Sequence, residues 1–238
     1  MLEILYQDDV LVAINKPSGL LVHRSMIDHH ETAFAMQQTR DQIGQHVFPV
    51  HRLDKPTSGV LLFALDRDTA RQVTQQFADK KIQKSYRAVV RGYTQAAGTI
   101  DYALKEQLDK MTDSKVKQDK EAQAAITHYR REAMVELPFA VGRYDTARYS
   151  LVKLMPETGR KHQIRRHMKH IFHPIVGDTS HGDGKHNSLF REQFACHRLL
   201  LHADCLALKH PLSGDELVIH AALHDDFQSI VEHLFSIA

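Results

Sequence analysis

A continuous apolar run, Val60-Leu61-Leu62-Phe63-Ala64-Leu65, follows directly on a Pro56-Thr57-Ser58-Gly59 turn, and no other feature limits the fold so sharply. Six apolar residues without alternation read as a strand buried on both faces, which requires a sheet covered from two sides. Immediately before the turn stands His51-Arg52-Leu53-Asp54-Lys55. A carboxylate there points away from the sheet, on a loop with a rigid support, where catalytic groups tend to sit. Turn chemistry alone reads Asp54 equally well as an ordinary turn former that bonds nearby backbone N–H groups.

The 238 residues suffice for a large core, as one domain over 1–238 or as two lobes sharing one sheet. With 42% hydrophobic and 25% charged residues the composition is that of a soluble globular protein. No apolar run approaches the ~18 residues that span a bilayer. The opening Met-Leu-Glu-Ile-Leu-Tyr-Gln-Asp-Asp lacks the basic start of a signal peptide, so a cytoplasmic protein is expected. Cys196 and Cys205 are expected as structural thiols rather than a disulfide.

Strands are expected over 10–15, 83–91, 124–129, 133–137, 148–154, 199–208 and 217–220. Asp66 is placed to cap a helix whose Ala70, Val73, Thr74 and Phe77 share one face. A helix over 32–43 has modest periodicity. A further helix, from about Arg160 to Phe172, buries Ile164, Met168 and Ile171, with Arg165, Arg166 and Lys169 flanking that stripe. The last helix buries Phe227, Ile230, Val231, Leu234 and Phe235. The apolar-poor, mixed-charge stretch 105–121 reads as an exposed insertion.

The net charge of +2 is too small to announce a polyanion partner, and the distribution says more. From Thr158 to Gly177 there is no acidic residue, while Arg160, Lys161, Arg165, Arg166 and Lys169 crowd together with His162 among them. Such a patch suits phosphate contacts, whereas an ordinary solvated helix face mixes both signs. His167, His170 and His173 recur every third residue. They lack metal-ligand motif spacing and are expected on a solvated or RNA-facing surface, so no metal site is assigned.

Taken together, His51-Arg52-Leu53-Asp54-x-x-Thr57-Ser58-Gly59 resembles the first catalytic motif of the RluA-type pseudouridine synthases. Lys84-Ser85-Tyr86-Arg87-Ala88-Val89-Val90-Arg91-Gly92 is similar to the second motif, and Pro156-Glu157-Thr158-Gly159-Arg160-Lys161-His162-Gln163-Ile164-Arg165 to the third. Leu201-His202-Ala203 is similar to a short signature that follows. The likeness runs nearly the whole length, is greatest to a bacterial tRNA-modifying branch, and includes no preceding S4-type domain.

The resemblance implies an α+β fold with a central, mostly antiparallel mixed sheet flanked by helices, and an active-site cleft across the sheet. It implies conversion of uridine to pseudouridine in tRNA, with uridine 65 of the T-stem as target, by a monomer that needs no cofactor. Asp54, Tyr86 and Arg165 are then the catalytic set, with Arg165 paired to Asp54 and Tyr86 against the base. Arg52 becomes the side chain that enters the space left by the flipped uridine. Arg160, Lys161, His162, Arg166 and Lys169 are the expected RNA contacts. Sequence leaves open whether Asp54 attacks sugar or base or removes a sugar proton. A non-catalytic RNA binder and an enzyme acting on ribosomal RNA are the alternatives.

Overall fold

The computed structural model describes residues 1–23, 32–106 and 121–235. Its chain order is β1 (Glu3–Gln7), β2 (Leu11–Lys16), α1 (Ala35–Ile43), β3 (Phe48–Pro49), β4 (Ser58–Ala64), α2 (Arg67–Ala78), β5 (Gln83–Arg91) and β6 (Ala97–Asp101), then β7 (Ile126–Leu137), β8 (Ala147–Pro156), α3 (Gln163–His170), α4 (Gly184–Phe194), β9 (Leu201–Lys209), β10 (Glu216–His220) and α5 (Asp225–Phe235). The strands form one mixed sheet in the order β1-β2-β4-β9-β5-β8-β7-β6, with β10 on β9 and β3 on β4. Among the strands of the described residues only β4 and β9 pair in parallel, through Ser58 with His202 and Gly59 with Ala203.

All seven residues of β4 are buried, because helices cover the sheet from both sides. On one face Val60 and Leu62 pack with Leu11, Ala13 and Val73 of α2. On the other, Leu61 and Phe63 meet Val12, Ile14 and Ala35 of α1. The second half repeats the scheme: Ala88, Val90, Val152 and Leu154 face Ile164 and Met168 of α3, while Val89, Tyr149 and Leu151 face Phe190 of α4 and Phe227 of α5. The expected α+β fold, with its mostly antiparallel mixed sheet between helices, is the observed one. No helix among the described residues is long and apolar enough to cross a membrane.

Several local expectations needed correction. The segments 124–129 and 133–137 belong to one strand, β7, with a register shift between Arg131 and Ala133. Helix α4 was not expected, because its sequence Gly-Lys-His-Asn-Ser-Leu-Phe-Arg-Glu-Gln-Phe has little apolar periodicity; Asp183 caps it by accepting from Lys185 N and His186 N. Helix α3 begins at Gln163 rather than Arg160. Its side chain captures Thr158 Oγ1 and Arg160 N, which holds 158–162 as a loop. Asp66 does cap α2, accepting from Asp68 N and Thr69 N. Thr74 is exposed rather than buried with Val73. Both cysteines are free. Most of the 105–121 insertion lies outside the described residues.

Candidate active site

The turn that carries Asp54 is tied down from beneath. Thr57 N donates to Asp54 O at 3.0 Å, and Gly19 N donates to Lys55 O at 2.9 Å. Lys16, fully buried at the end of β2, donates from Nζ to Pro17 O, Leu20 O and Lys55 O at 2.9, 2.8 and 3.1 Å. Burial and the Arg198 charge push its pKa down to about 7, while Asp54 works the other way. Three carbonyl acceptors call for three N–H donors, so the geometry fits the ammonium form. Behind the turn, Ser58 Oγ lies 2.8 Å from His202 Nδ1 and accepts from Arg198 Nη2.

Arg165 reaches Asp54 Oδ2 with Nη1 at 3.1 Å, and the Arg165 side chain is only 5% exposed against 27% for Asp54. His162, at the N-cap of α3 with φ 54°, brings Nε2 to 3.9 Å from the same oxygen. Its Nδ1 lies 3.0 Å from His181 Nε2. Burial lowers the pKa of both histidines, that of His181 to about 4. Tyr86 occupies the middle of the sheet, in register with Leu154 on one side and Ala203 on the other. Burial and the nearby Asp54 charge raise its pKa, so the phenol is neutral and can donate a hydrogen bond.

Asp54 stands where two hollows meet. An inner cleft of about 520 Å³ is lined by His51, Phe77, Lys84, Tyr86 and Thr158 besides Asp54. An outer trough of about 1220 Å³ is lined by Lys55, Lys161, Ser180 and Arg198. Arg52, Asp54, Arg160, His162 and Arg165 border both. The inner cleft thus exposes one tyrosine ring beside Asp54, and the outer trough has cationic walls.

Of the expected contact residues, Arg52, Arg160, Lys161 and His162 therefore line the hollows, whereas Arg166 and Lys169 do not. Successive helical residues point about 100° apart. With Arg165 turned to Asp54, Arg166 turns away and donates to Lys105 O at 2.9 Å. Arg165 itself does not flank the apolar stripe but is buried with it. The expected exposed histidine row also breaks up. His167 is fully buried between Thr127 Oγ1 and Tyr102 O, each at 3.0 Å, whereas His170 is exposed as expected and stacks on Tyr102 with ring centroids 3.7 Å apart. His173 Nδ1 meets Arg91 O at 2.8 Å.

Sequence reasoning missed Lys16, Asp178 and His181. Asp178 binds Arg165 through both carboxylate oxygens, at 2.7 and 2.8 Å. One signal pointed to it: it is the first carboxylate after the acid-free stretch that ends at Gly177. Among the described residues no cluster of three or more histidine, cysteine or carboxylate side chains is arranged to hold a metal.

Comparison with known proteins shows the family to which this chain is similar. Residues 10–170 match the model of a family described as RNA pseudouridylate synthase. The chain is 58% identical over 229 residues to tRNA pseudouridine synthase C of Vibrio parahaemolyticus, covering 96% of this chain and 93% of that protein. It is also 58% identical over 231 residues to the protein of the same name in Haemophilus influenzae, with 97% of each covered. Among solved structures, human RNA pseudouridylate synthase domain containing 4 superposes with a TM-score of 0.72 at 28% identity, over 98% of this chain and 92% of that one.

Proposed function

The chain belongs to the RNA pseudouridylate synthase family, and from that premise we propose that it isomerises a uridine of tRNA to pseudouridine with Asp54 as the reacting carboxylate. The observation that carries this reading is the Asp54 carboxylate held 3.1 Å from a buried Arg165 at the mouth of a cleft lined by Tyr86. A protein that only gripped phosphates would gain nothing from a carboxylate there. The relatives named above supply tRNA as the substrate.

In the reaction the N1–C1′ bond breaks, the uracil turns, and C5 bonds to C1′. The C5 proton leaves and N1 ends protonated, so atoms balance without any oxidant or group donor. Arg165 orients Asp54 through a charge-assisted hydrogen bond at 3.1 Å. As a base or as a nucleophile on sugar or base, Asp54 acts from the same position. The neutral Tyr86 phenol stacks on the uracil and presents a hydroxyl to it.

A uridine in a stem must first leave the stack, at a cost of a few kcal/mol. Stacking on Tyr86 returns about 1–3 kcal/mol. Exposed Arg52, on the border of both hollows, fills the vacated place in the stem. Arg160, Lys161 and His162 hold the adjoining phosphates. The target we favour is uridine 65 of the T-stem. A monomer meets all these demands.

Purified protein incubated with unmodified tRNA transcript, without added metal or cofactor, is expected to form pseudouridine, and Asp54→Asn is expected to form none. Tight tRNA binding without product by the wild type would sink the proposal in favour of a binder. A map of pseudouridine in cellular RNA with and without the gene then tests the position. Loss of signal in ribosomal RNA alone would redirect the substrate.

A further inference from the structure

Arg165 divides its donors unequally. Nε and Nη2 go to Asp178 Oδ2 and Oδ1 at 2.7 and 2.8 Å, while Asp54 receives Nη1 alone at 3.1 Å. The Asp178 side chain has no solvent exposure and is itself fixed on several sides. Its Oδ1 accepts from Ser180 N and His181 N, both at 2.9 Å. Its carbonyl accepts from Asn187 Nδ2 at 2.9 Å and Gly182 N at 3.1 Å. Asn187 Oδ1 in turn accepts from Gly177 N at 2.8 Å. Gly177, at φ +80°, lies so close to the Arg198 carbonyl that any Cβ would collide with it.

Had Arg165 only Asp54 as partner, its whole charge would bear on the carboxylate that must react. That would lower the basicity and nucleophilicity of Asp54. We propose that Asp178 is a positioning residue for the reaction: it fixes the orientation of the Arg165 fork and takes up its charge, leaving Asp54 oriented by one hydrogen bond. The inference rests on the role of Asp54 proposed above. The other charged or titratable groups around Asp54 include His162 at the start of α3, Arg160 before it, Lys16 from β2, Tyr86 and Lys84 from β5, and His51, Arg52 and Lys55 from its own loop. Around Asp178 they are Arg165, His162 and His181.

The test is single-turnover pseudouridine formation against pH for the wild type and Asp178→Asn, with tRNA affinity and thermal midpoint measured in parallel. Asn matches Asp in size, removes the charge, and with its oxygen kept towards Ser180 N and His181 N turns an NH2 group to Arg165 Nε in place of an acceptor. Arg165 then acts on Asp54 uncompensated, so the acid limb of the rate profile is expected to move down by about one pH unit. The plateau rate is expected to fall about tenfold or more, with tRNA affinity unchanged within about twofold. An acid limb that stays in place while the rate is merely scaled would overturn the inference, because it signals a loss of folded protein.

Should Asp178→Asn fail to fold, Asn187→Ala decides, since it loosens the Asp178 loop without removing a charge. Its plateau rate is expected to fall about threefold or more at unchanged tRNA affinity, and an unchanged rate overturns the inference. A wild type that forms no pseudouridine overturns the proposed function and this inference together; an active wild type isolates Asp178.

Discussion

Lys16 Nζ donates to Lys55 O at 3.1 Å, so the turn that presents Asp54 hangs from a lysine with no solvent exposure. The same ammonium holds Pro17 O and Leu20 O. Lys16→Met keeps most of the volume but takes the Nζ donor from Pro17 O and Leu20 O, while Lys55 O keeps Gly19 N. Each buried unsatisfied acceptor costs about 1–3 kcal/mol. The variant is expected to lose at least about 2 kcal/mol by urea titration. Its turnover should fall further than its tRNA affinity, because the loop loses its register while the outer trough remains.

Gly59 offers a backbone test of the same region. Its φ of +111° lies in the range that side chains rarely adopt, and an added Cβ would stand 2.6 Å from Ala203 N and closer still to its carbonyl oxygen. Gly59→Ala must push β4 away from β9 at their short parallel contact. Destabilisation of about 2 kcal/mol or more is expected in thermal or urea unfolding. A variant as stable as the wild type would mean that the β4–β9 contact is not needed.

Acid sensitivity should come from buried neutral histidines. Burial pushes His202 down to about 4, and the same cause brings His181 to about 4 and His51 to about 3. Each folded pKa lies below the ordinary value near 6.5, so the unfolded chain binds more protons in between. Stability is therefore full above about pH 6.5 and falls as pH drops towards 4. For fully buried His202 the limit is on the order of 3 kcal/mol. Urea midpoints at pH 7 and pH 5 measure it, and His202→Gln is expected to flatten the dependence while lowering stability at pH 7.

On the proposed function, the two hollows separate cations expected to touch RNA from those expected not to. Arg160→Ala is expected to weaken tRNA binding and reduce the slope of log affinity against log salt by about 1. Lys169→Ala, outside both hollows, is expected to leave that slope unchanged. Arg52→Ala should keep stability within about 0.5 kcal/mol, as for other exposed sites. Its turnover on structured tRNA should fall more than on a short unpaired RNA that needs no opening.

Tyr86→Phe keeps the aromatic ring and removes the hydroxyl. Unchanged tRNA affinity with turnover reduced about tenfold or more is expected in single-turnover assays. Equal turnover would confine Tyr86 to stacking.

What was readable in the sequence is what neighbours along the chain decide. The apolar run after Gly59 dictates a strand buried on both faces, and Asp66 with the Val73 face dictates α2, because both depend on local periodicity and a cap. The three motifs brought Asp54, Tyr86 and Arg165 to one site by resemblance, and the geometry places them there. The charge run 160–169 was legible as a patch but not as directions. Helical geometry turns Arg165 inward and Arg166 outward, and burial against Thr127 and Tyr102 makes His167 a core residue.

The partners that lie far apart in sequence had no local signature. Asp178 meets Arg165 across 13 residues, Lys16 meets Lys55 across 39, and Ser58 meets His202 across 144. Sequence by itself determined most of the sheet-forming strands, though not β1, β3 or β6, and the carboxylate on its turn, since side-chain pattern and turn chemistry act over a few residues. Beyond the Arg165–Asp54 pair that the resemblance implied, tertiary structure alone decided which charges meet around that carboxylate, Asp178 with Arg165 above all. A buried charge must find its partner wherever the packed chain brings one within hydrogen-bond reach.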